Sequence, residues 1–77
     1  MHPYIKAKYE ELLERLEDYE EDIIIAIKPP HLCLVNEIKS SLVSAIDDCC
    51  EVADYRLDVE KFNYHTTIKL HIIYFDL

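Results

Sequence analysis

No residue in this chain is glycine, although average usage would supply about five in 77 positions. That absence constrains the fold at every turn. No turn can use glycine to reach positive φ. The glycine-rich loops that cradle phosphates in Walker and dinucleotide-binding motifs are excluded as well.

The elements themselves follow from periodicity. "HPYIKAKYEELLERLEDYEE" carries Ile5, Tyr9, Leu12, Leu13, Leu16 and Tyr19 on one stripe, the spacing of an amphipathic helix. Pro3 suits its first position. Glu10, Glu14, Glu17, Asp18 and Glu21 lie on the opposite face, and Glu11 and Arg15 are spaced for one favourable i,i+4 pair. "DIIIAIK" is short and β-branched and reads as a strand with two apolar faces, Ile23, Ile25 and Ile27 against Ile24 and Ala26. A strand like that is usually central or covered on both sides.

Pro29–Pro30 ends the strand. A second amphipathic helix is expected to reach about Ala53, burying Val35, Ile38, Leu42, Ala45, Ile46, Cys49 and Ala53. Its start is open between the prolines and an N-cap at Asn36, in which case "HLCLV" reads as a short strand. "YRLDVEKF" and "TTIKLHIIYF" alternate as strands around "NYHT", a four-residue hairpin loop. Pairing Phe62 with Thr67 sets Leu57 against Ile72, Val59 against Leu70, Glu60 against Lys69 and Asp58 against His71.

The order is helix–strand–helix–strand–strand in a single domain, residues 1–77. The predicted fold class is α+β: a small two-layer domain with two amphipathic helices on one face of a three-stranded, mostly antiparallel sheet. A strand–helix–strand crossover makes strands 1 and 2 parallel, and placing strand 3 between them gives order 1-3-2.

Charge narrows function. Sixteen acids against eight bases give a net charge of −8. This argues against direct nucleic-acid binding, which draws affinity from Lys and Arg. It favours a basic protein partner. Residues 1–27 hold eight acids and three bases, net −5. Both helices end in acids, which oppose the helix dipole and one another. The acidic surface Glu10, Glu14, Glu17, Asp18, Glu20, Glu21 and Asp22 is therefore the candidate partner-binding face, set against the plainer reading of a solvated face tuned for solubility. Mimicry of nucleic-acid phosphates is one form such binding takes. A second candidate is the sheet face away from the helices. There Ile24, Ala26, Ile73 and Phe75 would form an apolar homodimer or docking face, unless a helix covers it.

Catalysis and metal binding are weaker readings. Asp58 and His71, with Thr67 and Lys69 on the same face, resemble part of a catalytic triad. A flat sheet face offers no pocket, and the nucleophile is missing, so an ordinary cross-strand ion pair and a non-enzymatic protein are expected. His31, Cys33, Cys49 and Cys50 supply four soft ligands for a metal- or thiol-dependent regulator. Adjacent cysteines on a helix point about 100° apart and suit one tetrahedral ion poorly. No metal or cofactor is expected. An accessory subunit of a larger complex is the remaining alternative.

Without a secretory h-region or an apolar run near 18 residues, the sequence reads as cytoplasmic with no membrane partner. "EEDIIIAI" resembles the acid-flanked aliphatic segments that bind ubiquitin-like modifiers by strand addition. Those segments are disordered, whereas this one reads as a core strand.

Overall fold

The computed structural model describes residues 2–75. Helix α1 spans Pro3–Glu17, strand β1 Asp22–Ile27, helix α2 Val35–Asp47, strand β2 Val52–Lys61 and strand β3 Thr66–Tyr74. The sheet order is β1-β3-β2 with both pairings antiparallel, so the α+β two-layer arrangement stands as expected.

Helix α1 begins where Pro3 places it, in the first turn. His2 caps it through Nδ1, which accepts from the Tyr4 N–H at 3.0 Å. Its buried stripe, Ile5, Leu12 and Leu16, meets Ile23, Ile25 and Ile27 of β1. Ile38, Leu42, Ala45 and Ile46 of α2 and Ile68, Leu70 and Ile72 of β3 complete one core. Burying each large aliphatic side chain contributes about 1.5–3 kcal/mol.

The C-terminus of α1 shows how a chain without glycine ends a helix. Tyr19 takes φ 55°, the left-handed conformation usually given to glycine. Its N–H bonds to Leu16 O at 3.1 Å, and Glu20 N–H bonds to Arg15 O at 3.1 Å. These two bonds form a Schellman motif with tyrosine in the glycine position.

The open choice at the start of α2 falls to the start just after the prolines, and two expectations need correction. The segment His31–Leu34 is a 3₁₀ turn leading directly into α2, so "HLCLV" is no strand and Asn36 lies inside the first helical turn. Helix α2 stops at Asp47, not near Ala53, and Ala53 is an exposed strand residue. The physical reason is that β2 gains a ladder with β3 from Val52 onward, which the acid-rich end of a helix cannot match. The hairpin register also differs from the expected one by two residues. Leu57 pairs with Leu70, Val59 with Ile68, Asp58 with Lys69 and Glu60 with Thr67. Phe62 N–H bonds to His65 O at 2.8 Å and the two rings stack at 4.7 Å, which closes the turn around Asn63–Tyr64. A slip of two leaves each side chain on its face, so the inner residues are as expected and the cross-strand partners are not.

Candidate interaction surface

The order helix–strand–helix turns the chain twice, so the two helices run parallel. Their N-termini meet where Tyr4 stacks on His31 with ring centroids 3.8 Å apart. Their C-termini meet at the other end of the molecule. There a cleft of about 360 Å³ opens between them, floored by Leu13, Leu16 and Ala45 and rimmed by Glu17, Asp48 and Glu51. Tyr9, Tyr19 and the half-buried Cys49 also line it.

The acids of both helix ends therefore gather at one pole. Glu17, Asp18, Glu20, Glu21 and Asp22 come from the α1–β1 junction, and Asp47, Asp48, Glu51 and Asp54 from the α2–β2 junction. Among the described residues Arg15, Arg56 and His71 stand with them, His71 Nδ1 lying 2.8 Å from Asp22 Oδ1. Arg15 Nη1 lies 3.3 Å from Glu20 Oε1, and Arg56 sits beside His71 in the sheet. The expected Glu11–Arg15 pair is not formed, since Glu11 instead approaches Lys8 at 3.8 Å. Lys6, Lys8, Lys28, Lys39 and Lys61, with His2, His31 and His65, belong to the opposite pole, at the helix N-termini and the hairpin.

Of the seven acids expected to form a binding face, Glu17, Asp18, Glu20, Glu21 and Asp22 belong to this pole. Glu10 and Glu14 lie further up the exposed side of α1, with Glu10 held 3.9 Å from Lys6. All seven are exposed except Glu20, which is half-buried. The acids at the end of α2 were legible in the sequence; what periodicity alone did not reveal was their meeting with those of α1, nor the cleft residues Tyr9, Leu13 and Leu16. The element order carried that information, because short connections on either side of β1 force the helices parallel.

Two tyrosines brace the pole. The Tyr74 hydroxyl donates to Glu20 O at 2.7 Å, and its ring meets Tyr19 edge-on at 5.4 Å. The Tyr19 hydroxyl titrates above its ordinary value, first because it faces the Glu51 carboxylate and then because of partial desolvation. Tyr74 is raised as well, first by burial and then by Cys49 and the nearby glutamates.

The outer sheet face holds the second set of candidates. Ile24 and Ala26 lie on β1, while Ile73 lies near the end of β3, about 13 Å along the strand from the Ile24 row, and Phe75 just beyond the strand, about 20 Å from it. A polar row of Asp22, His71 and Arg56 separates them. Ile24, Ile73 and Phe75 are exposed and Ala26 is half-buried, so no helix covers this face. The expected Asp58–His71 pair is absent. His71 Nδ1 instead lies 2.8 Å from Asp22 Oδ1, and Asp58 pairs with Lys69. The expected Glu60–Lys69 ion pair forms diagonally at 2.9 Å.

His31 and Cys33 stand before α2 and Cys49 and Cys50 just beyond it. The intervening 13 residues of helix separate the two pairs by about 20 Å. One ion cannot take all four. Among the described residues no helix is long and apolar enough to cross a membrane. No family model, curated protein or solved structure matches the chain.

Proposed function

We propose that this protein is a non-enzymatic protein–protein interaction module that binds a basic partner surface through its acidic pole. An inhibitor, an adaptor and an assembly subunit all use a surface of this kind, and mimicry of nucleic-acid phosphates is one version of it. The observation that supports the reading is the convergence of two helix C-termini, with their acids, around an apolar-floored cleft. Glu17, Asp18, Asp47 and Asp48 sit at the helix C-termini, where each opposes the helix dipole and its neighbours, so the arrangement lowers stability. A lysine or arginine from a partner would relieve that cost, its stem lying on Leu13 and Leu16 and its charge at the Glu17, Asp48 and Glu51 rim. The metal- or thiol-dependent alternative lacks a common site for its four side chains.

The test is calorimetric titration with a lysine- and leucine-containing peptide. The triple variant Glu17→Gln, Asp48→Asn, Glu51→Gln is expected to weaken binding at least tenfold. A control removing three charges elsewhere, Glu37→Gln, Asp58→Asn, Glu60→Gln, is expected to weaken it far less. Equal losses in the two triples would reduce the binding to net charge alone and refute the pole as a site.

A further inference from the structure

The two edges of the sheet differ in kind. Strand β2 turns alternating charges, Asp54, Arg56, Asp58 and Glu60, to the outer face, the usual protection of an edge against further pairing. Strand β1 has no such protection. From Ile23 to Ile27 it contains no charge, proline or bulge, and Ile24 is 55% exposed.

The direction of its hydrogen-bonding groups follows from one bond. Ile72 N–H donates to Glu21 O at 2.8 Å. Antiparallel ladders alternate, so Ile23, Ile25 and Ile27 bond to β3 while Asp22, Ile24 and Ala26 turn their N–H and C=O groups to the open side. Lys28 is next in that phase, and its N–H is already taken by the Tyr4 hydroxyl at 3.1 Å. The open edge therefore runs from Asp22 to Ala26, with Ile24 at its centre.

We propose that β1 pairs with β1 of a second copy, antiparallel about a twofold axis at Ile24, so that two sheets become one of six strands. Outward-facing residues must meet outward-facing residues. Centring on Ile24 uses all three free residues without disturbing Tyr4: Ile24 meets its own copy, and Asp22 meets Ala26 in both directions. On the inner side Ile23 meets Ile25 of the other copy, extending the aliphatic layer beneath the helices. One step further out, Glu20 meets Lys28. Antiparallel pairing also lays the acidic pole of each copy beside the other's basic pole, with Lys28 and the lysines of the α1 N-terminus. Self-association of this kind is isologous and closed, so it ends at the dimer.

Sedimentation equilibrium of the full chain tests this. At concentrations on the order of 100 µM, well above a micromolar Kd, the wild-type chain is expected at twice its 9.1 kDa mass. Ile24→Pro removes an N–H that β3 does not use, and edge strands accept proline. Ile24→Lys sets two like charges opposite one another across the axis. Both variants are expected as folded monomers at the same concentration, and Ile24→Lys decides the matter if the proline variant fails to fold. A monomeric wild type would overturn the proposal. So would a dimer that persists in Ile24→Lys, or one that is lost only in Phe75→Glu, which would place the contact at the far end of β3.

Discussion

Tyr19 carries the cost of a chain without glycine. Its φ of 55° crowds Cβ against the following carbonyl, while its ring packs against Tyr74. Tyr19→Ala loses the ring and keeps the crowding, whereas Tyr19→Gly loses the ring and relieves it. The glycine variant is therefore expected to melt roughly 4–8 °C above the alanine variant, the reverse of their order inside a helix or strand. Thermal denaturation of the pair checks this. Thr67 poses a different problem: it is 8% exposed, yet its Oγ1 has no partner among the described residues. Thr67→Val keeps the shape and removes the unmatched hydroxyl, so chemical denaturation should show a gain of about 1 kcal/mol.

Among the elements, the junction held by Tyr74 responds to alkaline pH. Folding raises the titration of both Tyr19 and Tyr74, so their deprotonation favours unfolding. Their contribution is complete below the ordinary tyrosine value near 10 and is lost as pH rises through the folded values. Stability measured from pH 9 upward should fall on this account, and less steeply in Tyr74→Phe. That variant should also lose about 1 kcal/mol at neutral pH, because Glu20 O keeps no donor in place of the hydroxyl. How far such elements can be read from sequence depends on their period. The two helices, the three strands and the inner faces follow from 3.6- and 2-residue alternation, and the sheet order from the crossover between strands 1 and 2. Register does not, because a shift of two preserves every face while exchanging every partner. Phe62 stacking on His65 decided it, a contact that alternation does not encode. The end of α2 was hidden for a related reason. Cys49 and Ala53 continue a helical stripe, but Val52 onward gains more from the β3 ladder.

Across the whole molecule, nine of the described acids gather at the end where the helix C-termini meet, while five lysines lie toward the other end together with Glu37 and Glu60. The acidic surface was legible residue by residue in α1. Its meeting with Asp48 and Glu51 was not, because it depends on where α2 ends in space. Repulsion at this pole should make the protein more stable in salt. Raising sodium chloride from about 0.05 to 0.5 M shortens the screening length several-fold and should raise the melting temperature. Glu17→Gln and Asp48→Asn should reproduce part of that gain at low salt, by several tenths of a kcal/mol each. Whether a basic partner binds at this pole is read from backbone amide NMR shifts during titration with a lysine- and leucine-containing peptide. The largest changes are expected at residues 13–22 and 45–54, around the cleft between the helix ends. Changes spread evenly over all acidic residues, or centred on Glu10 and Glu37 away from the cleft, would contradict binding there.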